Sequence, residues 1–284
     1  MNLLFSLSQP SINMTNNMFF VFVLMMFSTC LSVVIDLEKN TTTRPEVVII
    51  FARQRSGSTT LSSVLATDKC SLFGNEIWID TNGQPGQDFL HAHEVMGVNR
   101  TTVMNNPLGF LTGLNKKLCS SSELPEECGG KCTIIAKLFD LHYKWFLTPD
   151  GIRDIVSDER VGVVILERDV NEVYTSTKSA RSRGDWTTHP GKYRPSKEDY
   201  GLPPPEFIED HDNWYSFVRK SLLEQGRVYT EVSFQALKGC NLFNKVLPTI
   251  FYNLGFDLND IDVKDHYFDN GLEDLVEKCP EFKK

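Results

Sequence analysis

The sequence predicts an α/β fold in which a mostly parallel central sheet is flanked by helices on both faces. Three strand-length runs, Val47–Ala52, Thr133–Leu138 and Val161–Glu167, are almost continuously apolar, the pattern of strands buried on both sides. Segments with helical spacing lie between and after them, and an alternation of strands and helices builds a parallel sheet. The chain has 284 residues, 41% of them hydrophobic, which is enough for one large domain of this class or two small ones.

Each element follows from local chemistry. Residues 1–17 are an uncharged lead, and Met18 to Ile35 is an apolar stretch just long enough to cross a bilayer. It reads either as a signal peptide, with Ser28 and Cys30 small enough for a cleavage site, or as an uncleaved single-pass anchor; the long lead favours the anchor. Residues 36–45 form a polar linker, and residues 46–284 are the globular domain. The first strand and its helix extend to about Ala66, Cys70 to Asp80 crosses the sheet edge, and Asp88 to Asn115 is partly helical with a break at Pro107. After the strand Thr133–Leu138, the Thr148-Pro149-Asp150 cap starts a short helix to Ser157.

The third apolar strand runs directly into a helix over Val170–Arg183, and the polar, proline-rich stretch from Gly184 to Pro205 suits a substrate-facing loop. Phe207 to Gln225 is a helix whose aromatic and aliphatic positions belong to the core. Arg227 to Val232 returns as a strand, and Leu242 to Leu254 is a final amphipathic helix.

The formal net charge of -8 speaks against general nucleic-acid binding, which needs a basic surface. Positive charge is concentrated locally instead, at Lys178, Arg181, Arg183, Lys192, Arg194 and Lys197, as a solvated face or a substrate-binding patch. Of seven cysteines, Cys30 lies in the apolar stretch. Cys70, Cys119, Cys128, Cys132, Cys240 and Cys279 permit up to three disulfides, with Cys119, Cys128 and Cys132 crowded into one glycine-containing loop. No Cys-x-x-Cys pair or neighbouring histidine supports zinc, so no metal is expected. Glycosylation sequons at Asn40 and Asn99 fit a secretory route.

Two junctions carry chemistry. The first strand passes through Arg53-Gln54-Arg55-Ser56-Gly57-Ser58-Thr59-Thr60 into a helix, an order that makes an anion site. Gly57 lets the backbone approach a ligand, Arg55 supplies a fork of hydrogen bonds, and Ser58, Thr59 and Thr60 supply helix-start hydroxyls and free N–H groups. The second glycine and the lysine of a nucleoside triphosphatase loop are missing. At the second junction, Arg168 ends a strand and Ser176 follows two turns into the next helix, so the pair can grip a small dianion.

The Arg55-Ser56-Gly57-Ser58-Thr59-Thr60 run between strand and helix resembles the donor loop of sulfotransferases that use 3′-phosphoadenosine 5′-phosphosulfate (PAPS). Arg168 and Ser176, eight positions apart, resemble that family's 3′-phosphate site. The resemblance extends over most of the chain after residue 46 and is greatest to the carbohydrate and trehalose-type branch, in which a tryptophan, here Trp186, follows the 3′-phosphate helix. The Gly-rich C-terminal donor loop of the cytosolic branch is not evident.

The resemblance implies transfer of a sulfonate to a hydroxyl or amine of an acceptor, with a carbohydrate favoured, and the apolar N-terminal stretch and the cysteines point to the Golgi or another secretory lumen. It assigns the 5′-phosphosulfate to residues 55–60, the 3′-phosphate to Arg168 and Ser176, and the departing oxygen to Arg55. It makes Glu76, whose neighbours Phe73 and Trp78 would raise its pKa, the favoured base, with His91 and His93 as rivals near Glu94. Lys137 is a cation late in a strand, either near the transferring group or paired at the surface. Trp186, Tyr193, Trp214 and Tyr215 are sugar-stacking or core aromatics. A nucleotide or sugar kinase, and a non-catalytic glycan-binding protein of the same fold, are the competing readings.

Overall fold

The computed structural model describes residues 44–75, 96–98, 100–121, 124–140, 147–183 and 200–257. Five parallel strands, β1 (Val47–Ala52), β2 (Ser71–Asn75), β3 (Thr133–Phe139), β4 (Val161–Glu167) and β5 (Thr230–Ser233), form one sheet in the order β2-β3-β1-β4-β5. The described helices are α1 (Ser58–Leu65), α2 (Arg100–Asn105), α3 (Pro107–Ser121), α4 (Pro149–Ser157), α5 (Val170–Arg183), α6 (Pro205–Glu224) and α7 (Leu247–Leu254). The expected α/β class with its parallel sheet is observed.

The unbroken apolar character of β1 has a direct cause. The strand is central, and all six of its residues are fully buried. Val47, Ile49 and Phe51 point to one face, where Leu111 and Leu114 of α3, Ile152 and Ile155 of α4 and Val218 and Leu222 of α6 cover them. Val48, Ile50 and Ala52 point to the other, under Leu61 and Val64 of α1 and Ile250 and Phe251 of α7. A side-chain period of two sends alternate residues into separate cores, so no position in the strand tolerates a polar group without a partner.

Three boundaries differ from the sequence reading. The last helix is divided: a π turn over Leu242–Val246 precedes α7, next to Pro248, whose missing N–H cannot continue an α-helical ladder. The final strand begins at Thr230, because Gly226 and Arg227 are still bonded to Leu223 and Leu222 at the end of α6. Cys119 belongs to α3 rather than to a loop, since that helix continues to Ser121. Elsewhere the agreement is close; Thr148 caps α4 by accepting from Gly151 N at 3.0 Å, and Pro107 starts α3.

Two disulfides join Cys70 to Cys128 and Cys119 to Cys132, and Cys240 is disulfide-bonded as well. Among the described residues no helix is long and apolar enough to cross a membrane. The 18–35 stretch, the Asn40 sequon, Asn99 of the second sequon, Glu76, His91, His93, Glu94, Trp186, Tyr193, Lys192, Arg194, Lys197 and most of the 184–205 loop lie outside the described residues.

Candidate active site

The strand order sets the place. From β1 the chain goes to the β2–β3 side of the sheet, and from β4 it goes to the β5 side, so the direction reverses between these neighbours. A crevice forms at such a switch point, beyond the carboxyl ends of the strands. The loop after β1 and the turn after β4 both open into it, and they are the two junctions singled out in the sequence.

The loop is tightly wound. Ser56 donates through both its N–H (3.2 Å) and its hydroxyl (2.6 Å) to Arg53 O, which winds the loop back on itself. Arg55 has φ of +69° and Gly57 has φ of +88°. A left-handed arginine is strained, which points to a backbone fixed for a purpose. Gly57 is obligatory on a second ground: a Cβ there would lie 2.7 Å from two ring carbons of Phe234.

Gly57 is also the N-cap of α1, with no side-chain cap bond, so Ser58, Thr59 and Thr60 begin the helix itself. The glycine takes the cap position because it alone suits the left-handed turn. The hydroxyls fall one step later, inside the first turn. The first intrahelical bond is Leu61 N to Gly57 O, so the N–H groups of Ser58, Thr59 and Thr60 have no acceptor within the helix. Their dipoles converge where an anion is stabilised.

Lys137 supplies charge from below. It lies in β3 opposite Ile50 and is 1% exposed, with its ammonium donating to Thr59 Oγ1 at 3.2 Å. This places it under the first turn of α1 and overturns the surface-paired alternative. An aliphatic stem buried in a sheet core and a charge delivered to a helix start make a fixed cation.

The second junction is tied to the first. Arg168 Nη1 donates to Arg55 O at 2.8 Å, and Arg55 Nε donates to Ser176 Oγ at 3.2 Å. Arg55, Arg168 and Ser176 therefore form one cluster across the crevice, with Ser176 2% exposed. Arg168 also pairs with Glu172 at 2.8 Å and stacks on Phe234, 3.9 Å from the ring centre.

Helix α6 braces this arrangement with residues that the sequence reading gave to the core or left unassigned. Trp214 Nε1 donates to Ala52 O at 3.1 Å, the last carbonyl of β1. The Tyr215 hydroxyl donates to Leu166 O at 2.8 Å and accepts from Arg53 N at 3.2 Å, joining β4 to the start of the loop. His211 Nε2 donates to Arg168 O at 3.1 Å. Arg53 pairs with Asp140 at 3.0 Å, beyond β3. Trp214 and Tyr215 are 4% and 1% exposed, so neither stacks on a sugar. Helical spacing alone marked these positions as buried; their polar atoms gave no separate signal.

No protein-family model matches the sequence, and no curated protein matches it. Solved structures do. The chain is similar to sulfotransferases. One is from Mycobacterium tuberculosis, at 11% identity and a TM-score of 0.36, covering 84% of this chain and 77% of that one. The sulfotransferase domain of the Synechococcus olefin synthase is 17% identical with a TM-score of 0.34, covering 86% and 88%. Retinol dehydratase, solved with retinol and PAP, is 14% identical with a TM-score of 0.25, covering 85% and 81%. Identity and superposition are both low, so the chemistry rests on this chain's own residues.

Those residues make a cationic cluster. Arg55 and Arg168 are bonded to each other and to Ser176 beside the loop that leads into α1, Lys137 bonds to Thr59 in the first turn of that helix, and Arg168 is paired with Glu172. Such a set has the chemistry to hold an ester of phosphate or sulfate and to stabilise negative charge on an oxygen.

Proposed function

We propose that the chain is a sulfotransferase that moves a sulfonate group from PAPS to a hydroxyl or amine of an acceptor, with a carbohydrate favoured. The observation that carries this reading is the bonded cluster of Arg55, Arg168 and Ser176, which joins the two anion-type junctions into one site. A nucleotide with phosphate at both ribose positions needs two anion contacts held at a fixed separation. Residues 55–60 receive the 5′-phosphosulfate, and Arg168 with Ser176 receives the 3′-phosphate.

In the reaction the acceptor oxygen forms a bond to sulfur while the bond from sulfur to the 5′-phosphate oxygen breaks. The electron pair stays on that phosphate oxygen, where Arg55 and Lys137 stabilise it, and adenosine 3′,5′-bisphosphate departs. The acceptor's proton goes to a carboxylate. Glu76 is assigned this role; in sequence it directly follows Asn75, the last residue of β2. The two identified disulfides support an oxidising, lumenal location, where a membrane-anchored or secreted enzyme would meet glycans.

Arg55→Ala and Arg168→Ala should each weaken adenosine 3′,5′-bisphosphate binding by roughly 10- to 100-fold, the worth of a charge-assisted hydrogen bond, as measured by calorimetry. Unchanged affinity in both folded variants refutes the donor site. Glu76→Gln should spare that affinity and slow sulfonate transfer by roughly 10²-fold or more in a labelled-donor assay. Near-normal turnover would move the base to His91 or His93. A screen of glycan acceptors with labelled PAPS tests the acceptor class.

A further inference from the structure

Arg168 is held in a way that the donor reading does not require. Its Nε donates to Glu172 Oε2 at 2.8 Å, its Nη1 donates to Arg55 O at 2.8 Å, and its plane lies over Phe234 at 3.9 Å. Nη2 has no hydrogen-bond partner among the described residues, and the side chain is 14% exposed. The guanidinium is thus fixed at one edge, one end and one face, with its remaining end open.

Glu172 is held in turn. Its Oε1 accepts from Gln235 Nε2 at 2.8 Å, and it occupies the first turn of α5, where the helix dipole favours a carboxylate. Phe234 and Gln235 are consecutive in the 3₁₀ turn Phe234–Leu237 that follows β5. One short turn therefore supplies both the ring beneath the guanidinium and the amide behind its counter-ion.

We infer that Glu172, backed by Gln235 and Phe234, is a positioning residue that aims Arg168 Nη2 at the ribose 3′-phosphate and so sets the preference for a 3′-phosphorylated nucleotide over one with a free 3′-hydroxyl. This rests on the donor reading above. A long side chain gives up rotamer freedom when it binds, and a guanidinium already fixed on three sides has little left to lose. The carboxylate engages Nε rather than the open end, so it aligns the fork without occupying it. An arginine released from that pair would still attract anions, with less regard for where the phosphate sits.

The test compares calorimetric affinities of the full chain for adenosine 3′,5′-bisphosphate and adenosine 5′-monophosphate. Glu172→Ala should weaken the bisphosphate about 10-fold and leave the monophosphate within about 2-fold, so the ratio falls about 10-fold. Glu172→Gln, which still offers Nε an acceptor, should restore most of the ratio. If the alanine variant does not fold, Gln235→Ala, at an exposed position, should lower the same ratio by a smaller factor. A preference that survives Glu172→Ala, equal weakening of both nucleotides, or tighter bisphosphate binding overturns this inference alone. A wild-type chain that binds neither nucleotide overturns the donor reading and this inference together.

Discussion

The two ends of the sheet are built by different means. At the amino ends of the strands the structure is stapled. Cys70–Cys128 lies just before β2, Cys119–Cys132 just before β3, and the fully buried Asp68 pairs with Arg44, whose Nε also donates to Thr133 Oγ1 at 3.0 Å. Asn115 adds bonds to Glu46 O and Cys132 O at 2.7 and 2.8 Å. At the carboxyl ends the links around the two junctions are hydrogen bonds and ion pairs: bonds from Trp214, Tyr215 and His211 to strand and loop backbone, the buried Arg53–Asp140 pair, and the Arg168 guanidinium on the carbonyl of the left-handed Arg55. The two identified disulfides therefore secure the amino end, while the carboxyl end carries the left-handed Arg55 among hydrogen bonds and ion pairs.

The sharpest way to separate the two ends is at Gly57. Alanine there combines a positive φ with a Cβ 2.7 Å from the Phe234 ring. Phe234 also carries Arg168, so a displaced ring disturbs both halves of the site. Gly57→Ala should weaken adenosine 3′,5′-bisphosphate binding by roughly 10²-fold, while the free energy of unfolding falls by only the ~1–3 kcal/mol of local strain. Equal affinity for wild type and variant would show that the loop's winding is not part of the site.

The opposite result is expected at the stapled end. Replacing both Cys70 and Cys128 by alanine should cost about 2–4 kcal/mol of stability, read as a lower denaturation midpoint, and leave nucleotide affinity unchanged below the transition. A parallel loss of affinity would mean that the two ends are not independent.

Much of this contrast was legible in the sequence, and the rest was hidden for physical reasons. β1 and β4 announced themselves because strands buried on both faces must be apolar throughout, and the residues that end them were visible as charge interrupting apolar runs. Arg55, Arg168 and Ser176 could be picked by spacing, but their mutual bonds depend on strand order, which a single sequence does not reveal. That Gly57 takes the cap position follows from the loop's left-handed turn, which the run of hydroxyls after it does not reveal. Trp214 and Tyr215 were assigned to burial by their spacing, and only the fold shows that their single polar atoms reach the strand ends.

Tyr215→Phe is the smallest change that tests whether α6 braces the site. The substitution removes one oxygen, leaving Leu166 O and Arg53 N without that partner in a core position where the side chain is 1% exposed. Burial first, and then the nearby charge of Glu167, push the phenol well above its ordinary pKa, so it remains a donor throughout the pH range of the folded protein. The cost should be about 1–3 kcal/mol in denaturant unfolding, independent of pH near neutrality. Because Arg53 begins the loop, bisphosphate affinity should fall as well, by a factor smaller than at Gly57. A stability loss with affinity unchanged would make Tyr215 a core residue that merely happens to touch the loop, and would leave Trp214 and His211 as the links between α6 and the site.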